Sequence, residues 1–366
     1  MAKRKKHLRV GLLTGGGDCP GLNAVIRAVV KDLLHEHDAQ IVGFLDGYEG
    51  LVLDRSRPLG WNDASSILTL GGTILGTSNT ANPMAWAERR RGKMVVVDRS
   101  ADAVRTFKKH RLDGLIVIGG DGSMAIAGGL IDRGIPVVGV PKTIDNDVPH
   151  TDRTFGFQTA VDVATDALDR LHTTANSHHR VMVAEVMGRY AGWLALESGI
   201  ASGTDIILIP EIPFRWESIA AFCLKRYEYG KRFTIVCVAE GAKPVDGEMI
   251  VRCRVEGSPD PIRLGGIGAI VASRIEQDTG IEARATTLGY IQRGGSPCPF
   301  DRVFATSLGY QAAELAAAGR WGRMASWKDG RLTDVALVDV AGGCRKVTLD
   351  HPLLAVARSV GTGFGE

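Results

Sequence analysis

No stretch of this chain reaches the roughly 20 consecutive apolar residues that a membrane span needs, so a spanning protein is not expected. Cysteine is sparse. Cys19, Cys223, Cys237, Cys253, Cys298 and Cys344 are scattered, with no paired C-x-x-C spacing. That argues against a disulfide scaffold and a structural zinc site, and fits a reducing cytoplasm. Charge of one sign is not in excess: 44 Lys and Arg against 41 Asp and Glu give a formal charge of +3. The balance is too even for a general nucleic-acid binder, although it leaves room for a local positive pocket. The basic start, Lys3 to Lys6 with Arg9, reads as a short solvated arm. It is not a signal peptide, because the apolar run that follows breaks at the glycines of 15–17. There is no Gly-X-Y period, no tandem repeat and no low-complexity block.

What the chain does have is glycine: 46 residues of 366, against a usual ~7%. The glycines cluster in short knots after apolar runs, where turns that meet phosphates would lie. Hydrophobic residues at 45% and charged residues at 23% suit a folded globular protein and exclude wholesale disorder. A single core stops growing at roughly 250–300 residues, so two domains are expected.

Strand-like apolar runs alternate with helical periods. Residues 10–14 read as a strand, 15–21 as a glycine turn, and the apolar residues from Leu22 to Leu34 recur with helical spacing. Asp18 and Pro20 sit where a helix start favours them. Further strands are expected at 94–97, 115–118 and 136–140, with the near-continuous apolar character of a parallel sheet covered on both faces. A second set follows the polar stretch 149–153. It has a helix over 159–172, a strand at 180–184, a helical region from 193, strands at 205–209 and 233–239, a helix over 267–277, a strand at 283–290, a helix over 298–318 and a strand at 334–340. The polar segment 241–261 reads as a surface loop. The expectation is an α/β protein of two doubly wound domains with mostly parallel central sheets, and ligands beyond the carboxyl ends of the strands.

Three glycine segments are candidate phosphate loops: Thr14-Gly15-Gly16-Gly17-Asp18-Cys19-Pro20-Gly21-Leu22-Asn23, Gly71-Gly72-Thr73 with Gly76-Thr77-Ser78-Asn79, and Gly119-Gly120-Asp121-Gly122-Ser123. The first is alternatively a tight turn without a ligand. The first follows a strand and opens a helix, which suits an anion. It matches neither a clean G-x-G-x-x-G nor G-x-x-x-x-G-K-[ST]. In the third, an acid among backbone donors reads as a partner of Mg²⁺, or else as an Asx turn or N-cap. The densest chemical run is Pro141-Lys142-Thr143-Ile144-Asp145-Asn146-Asp147. With an extended backbone, Asp145 and Asp147 point the same way, one to take a hydroxyl proton and the other to serve metal or substrate. A hydrogen-bonded turn is the bland alternative. Lys142 is a solvated lysine or a phosphate contact. Arg180, Arg189, Arg284 and Arg293 each border a β run or glycine turn, and collectively hint at a phosphorylated substrate. Glu240 ends a strand, where it meets sugar hydroxyls or caps a turn.

Taken in order from Val10 to Arg302, these motifs resemble the 6-phosphofructokinase family, whose members use ATP or pyrophosphate. The resemblance implies Rossmann-like domains, residues 1–156 plus about 292–342 for the donor and 157–291 plus about 343–366 for the sugar phosphate. It implies Gly16 at the donor phosphates, with Asn79, Gly122 and Ser123 beside them, and Asp121 as the magnesium-linked acid. Thr143 resembles the residue near the transferred group, Asp145 the base for the sugar 1-hydroxyl, and Asp147 its support. Met187, Gly188, Arg189, Glu240, Tyr290 and Arg293 fall where the family grips the sugar phosphate. Arg180 and Arg284 match arginines that reach it from a neighbouring subunit, which implies a homodimer or homotetramer with shared sites. Gly122 goes with ATP and Lys142 with pyrophosphate, a hybrid that resembles an actinobacterial-type ATP-using subgroup. Asn79 stands where many ATP enzymes carry Arg, and Tyr290 where His is usual. The implied activity is cytoplasmic, glycolytic transfer from Mg-ATP to fructose 6-phosphate, without nucleic-acid or membrane partners. The same reaction with pyrophosphate is the first alternative, and a non-catalytic regulatory homologue the second.

Overall fold

The computed structural model describes residues 7–254 and 262–366. The basic arm at 3–6 lies outside the described residues, as does the 255–261 part of the expected surface loop. In chain order the first elements are β1 (Arg9–Thr14), α1 (Leu22–His35), β2 (Gln40–Phe44), α2 (Tyr48–Leu53), β3 (Ser56–Leu59), β4 (Trp86–Arg90), β5 (Lys93–Val97), α3 (Ser100–Lys109), β6 (Gly114–Gly119), α4 (Asp121–Ile131), β7 (Val137–Thr143) and β8 (Phe155–Gly156). Then come α5 (Phe157–His178), β9 (Val181–Val186), α6 (Trp193–Ala201), β10 (Ile206–Leu208), α7 (Trp216–Glu228), β11 (Thr234–Ala239), β12 (Val251–Arg254), β13 (Ile262–Leu264), α8 (Ile267–Thr279) and β14 (Ala283–Thr287). A 3₁₀ turn at Gly289–Arg293 leads to α9 (Pro299–Ala317), β15 (Arg323–Lys328), β16 (Arg331–Ala336), α10 (Leu337–Val340) and α11 (Pro352–Ser359).

The fold is α/β, built on two mostly parallel sheets. The first has the order β16-β15-β7-β6-β1-β2-β3, with β8 beside β7. Only its outer pairs, β2 with β3 and β15 with β16, are antiparallel. The second is β10-β11-β9-β14, parallel throughout. Strand β6 is buried from end to end. Ile116 and Ile118 enter the core shared with α1 and α9, while Leu115 and Val117 enter the core under α2, α3 and α4. Burial on both faces is why the strand shows no polar alternation. The first of these cores continues through α5 and α6 to Ile235, Cys237 and Ala239 of the second sheet, so one apolar layer is common to both.

In the first sheet the chain winds from β1 outward through β2, then returns to place β6 on β1's other side. The second sheet winds from β9 through β10 and β11, then places β14 on the far side of β9. Each reversal opens a crevice at the carboxyl ends of the strands, where α/β sheets bind ligands.

Several expectations need correction. The apolar run at 94–97 belongs not to a central sheet but to the separate hairpin of β4 and β5, where Val96 is 64% exposed. The strand expected at 136–140 continues through Pro141 to Thr143. The strand expected at 283–290 stops at Thr287, because Gly289 turns with φ +51° into the 3₁₀ segment. That at 334–340 becomes helical at Leu337. Within 241–261, Val251–Arg254 forms a hairpin with β13. The tail beyond Ser359 returns along the second sheet: the Gly363 amide donates to Asp205 O and its carbonyl accepts from Ile207 N, both at 2.9 Å. Among the described residues, no helix is long and apolar enough to cross a membrane.

Candidate active site

The first glycine turn leaves β1 and is stitched to the second. The Gly15 amide donates to Ile118 O at 2.8 Å, and the Gly16 amide to Ser78 O at 3.0 Å. The Thr77 hydroxyl donates to Gly16 O at 2.6 Å, and the Thr14 hydroxyl to Gly76 O at 2.6 Å. The Gly16 amide is therefore directed inward to Ser78. What Gly16 contributes is a positive φ, +78°, and an uncovered Cα: a Cβ there would stand 3.4 Å from Lys142 Nζ. Asn79 is exposed one residue beyond Ser78.

Beside this turn, β6 delivers the third glycine segment to the start of α4. Gly120 is the N-cap, so Asp121, Gly122 and Ser123 form the first turn. No side chain caps this helix, which sets aside the capping alternative for Asp121. Its carboxylate is exposed at the mouth of the crevice, at the end of α4 that favours negative charge. Ser123 is buried, and Tyr48 holds its carbonyl at 2.7 Å. Around Gly122 there is nothing within 4 Å of an added Cβ.

The end of β7 supplies the acids. Lys142 is buried, not solvated, and donates to Gly17 O. Burial pulls its ammonium below the usual lysine range. The Thr143 hydroxyl accepts from the Asp145 amide at 3.1 Å. The backbone from 145 to 147 is not extended, contrary to the sequence reading. Asn146 is left-handed, φ +52°, and its buried side chain accepts from the Thr154 amide at 3.0 Å. The two aspartates meet across a turn instead of along a strand.

Their electrostatics nonetheless match a shared site. Asp145 is half-buried as a residue, but its Oδ1 is sealed from solvent without a hydrogen-bond partner. Burial raises its carboxyl above the usual range, against the pull of Arg293 and Lys142. Asp147 is raised to about 7, first by burial and then by the charges of Asp145 and Asp121. An orphaned buried carboxylate oxygen is costly and marks a place where a ligand supplies the partner.

The second sheet closes the crevice. At the end of β9, Met187 and Arg189 are half-buried and Gly188 is buried at φ +132°. The Gly188 carbonyl accepts from the Gly241 amide at 3.1 Å. A Cβ on Gly241 would stand 1.8 Å from Arg189 O, so the turn after β11 must be bare there. Glu240, one residue earlier, is raised to about 7 by burial first and by Asp145 second. Arg293 crosses between the sheets, its Nη1 donating to Asp18 O at 3.1 Å. Its charge acts on Lys142, Asp145 and Glu240.

Contacts and charges thus link Gly16, Asp121, Lys142, Thr143, Asp145, Asp147, Arg189, Glu240 and Arg293, while Asn79, Gly122, Ser123, Met187 and Gly188 sit on the segments that carry them. Tyr290, in the 3₁₀ turn that carries Arg293, has 78% of its surface exposed. Arg180 and Arg284 are elsewhere. They lie at the amino ends of β9 and β14, share the carboxylate of Glu282, and are separated from this chain's crevice by the length of the sheet.

Sequence reasoning placed Asn23 in the first glycine loop without a role for its side chain, and missed the supports from Asp301 and Arg345. Asn23 holds the second glycine knot, donating to Leu70 O at 3.1 Å and accepting from Ile74 N at 2.9 Å. Buried Asp301 accepts from the Gly156 and Thr159 amides at 3.0 and 2.8 Å, tying the start of α9 to that of α5. The Arg345 amide donates to Asp147 O at 2.7 Å, while its carbonyl accepts from Trp193 Nε1 at 2.8 Å. For Asp301 a signal existed, an acid in the first turn of a strong helix after Pro299. For Arg345, far along the chain, there was none.

Residues 9–316 match the family model described as Phosphofructokinase. The chain is 47% identical over 363 residues to the ATP-dependent 6-phosphofructokinase 2 of Clostridium perfringens, covering 98% of each. It is also 47% identical over 345 residues to the pyrophosphate--fructose 6-phosphate 1-phosphotransferase of Amycolatopsis mediterranei, covering 94% of this chain and 97% of the other. Among solved structures it superposes on Pichia pastoris phosphofructokinase in the T-state with TM-score 0.77 and 30% identity, covering 98% of this chain and 37% of that longer one. The glycine turns, the acids just beyond β7 and a family match that runs from β1 into α9 agree: this chain belongs to the phosphofructokinase family.

Proposed function

We propose that this protein is an ATP-dependent 6-phosphofructokinase, moving the γ-phosphoryl group of Mg-ATP to the 1-hydroxyl of fructose 6-phosphate. The observation that carries the reading is the buried, unpartnered Asp145 Oδ1, in a crevice where Lys142 and Arg293 also act. Asp145 accepts the sugar hydroxyl proton as the phosphoryl group passes in line. Thr143 positions the Asp145 backbone, and Asp147 sets the charge around it. Lys142 and Arg293 compensate phosphate charge, while Met187, Gly188, Arg189 and Glu240 hold the sugar phosphate. The oxygen-only donor set fits Mg²⁺, with Asp121 as the protein acid that would hold it. When bound, the ion shields phosphate oxygens from the carboxylates. The donor is held by residues 1–156 with about 292–342, and the sugar phosphate by 157–291 with about 343–366. Arg180 and Arg284, facing away from their own crevice, serve a neighbouring copy in a homodimer or homotetramer. A cytoplasmic setting suits the free thiols.

The test is Asp145→Asn, assayed with ATP and fructose 6-phosphate. The expected outcome is a drop in kcat of roughly 10²–10⁴-fold with little change in KM for the sugar. Near-normal turnover would remove Asp145 from the base role.

Pyrophosphate as donor is the second reading, favoured by the buried Lys142 against Gly17 O. Gly122 separates the two. An added Cβ there meets open space, so Gly122→Asp leaves the fold intact and puts a carboxylate at the donor. ATP turnover should fall far more than any pyrophosphate turnover. Equal loss with both donors would refute the crowding argument.

A further inference from the structure

Away from the crevice, at the opposite end of α1, three potential metal ligands converge from two helices. Asp32 lies in the last turn of α1, His37 two residues beyond its end, and Glu314 near the end of α9. His37 Nε2 stands 2.7 Å from Glu314 Oε1 and 3.7 Å from Asp32 Oδ2. All three ligand atoms lie within 4.8 Å of one another. Ligands about 2.0–2.1 Å from a tetrahedral ion stand roughly 3.3 Å apart, so the His37–Glu314 separation has to open by about 0.6 Å and the His37–Asp32 separation to close by about 0.4 Å.

A second observation points to a missing partner. Asp32 Oδ2 is sealed from solvent and has no hydrogen-bond partner. Among the described residues, neither Asp32 nor Glu314 pairs with a lysine or arginine; their recorded ion pairs are with His37 alone. Two carboxylates are thus held together with only an imidazole between them, an arrangement that a dication would neutralise. The side chains of His37 and Glu314 remain 28% and 40% exposed, which leaves an entry path and room for a water ligand.

We propose that Asp32, His37 and Glu314 form a binding site for a divalent transition ion of the zinc class, pinning the end of α1 to α9. An imidazole with two carboxylates selects Zn²⁺ or Co²⁺ over Mg²⁺, which prefers an all-oxygen shell. The site is therefore chemically distinct from that of Asp121, and the cysteine spacing that argued against structural zinc does not bear on it. Its role is structural, because helices α1 and α9 form one face of the first sheet's core.

The experiment uses full-length protein stripped with chelator and titrated with Co²⁺ and Zn²⁺ in excess Mg²⁺. The wild type should take up one equivalent with a Co²⁺ ligand-field spectrum of nitrogen and oxygen ligation, and saturating Zn²⁺ should raise Tm by about 3 °C. His37→Ala and Glu314→Gln should each weaken uptake by about 100-fold and abolish the Tm rise, while Asp121→Asn should leave both unchanged. No uptake by the wild type, or an equivalent that survives in a folded His37→Ala or Glu314→Gln protein, would overturn the assignment.

Discussion

Asp145 and Asp147 sit close enough that the charge of one resists ionisation of the other. Burial raises both, so the base form of Asp145 is reached only as pH climbs through its elevated folded value. The acid limb of kcat/KM for fructose 6-phosphate should therefore lie above the ordinary aspartate range. Removing the neighbouring charge with Asp147→Asn should move that limb to lower pH; a pH–rate profile for each protein checks this, and an unmoved limb would uncouple the pair. Glu240 makes a related prediction about stability. Its folded value of about 7 exceeds the usual 4.5, so between those values the folded protein holds a proton that the unfolded chain releases. Stability contributed at this position is present below about 4.5 and is lost as pH rises toward 7. Glu240→Gln should gain on the wild type by on the order of 2 kcal/mol between pH 4.5 and 8, measured by urea denaturation.

At the scale of elements, the start of α5 and that of α9 hang on one carboxylate. Asp301 accepts two backbone amides and the Thr159 hydroxyl with no exposed surface. Asp301→Ala strands those donors and should cost on the order of 3 kcal/mol, read as a lower Tm. Which elements the sequence disclosed follows from the same physics. Strands β1, β6, β9 and β11 are buried on both faces, so unbroken apolar runs betray them. Met94 to Val97 carries the same letters on a hairpin exposed to solvent, and composition alone cannot tell one from the other. β15 was invisible because Arg323, Trp327 and Lys328 give it the ends of a surface segment, although Met324 and Ala325 are fully buried. The acids that follow β7 were legible as chemistry but not as geometry: their pairing depends on Asn146 entering the left-handed region, which asparagine tolerates better than most residues. Donors such as Arg345, joined to Asp147 from almost 200 positions away, leave no local trace.

For the whole molecule, the role proposed for Arg180 and Arg284 makes one chain an incomplete enzyme. Mixing inactive Asp145→Asn with inactive Arg284→Ala under exchange conditions should restore turnover, because a hybrid pair holds one site with both native residues. A mixture that stays inactive after verified subunit exchange would place each site within a single chain. The order of strands in the first sheet has a consequence for biosynthesis. β7 lies against β15, although roughly 180 residues, including the whole second sheet, emerge from the ribosome between them. Until β15 has been translated, the stretch of β7 around Val138 and Gly139 lacks its neighbour and leaves an apolar margin able to recruit other chains. A stop codon after Ala317 should accordingly send the product into inclusion bodies, even though Asp121, Asp145 and Asp147 have already been made.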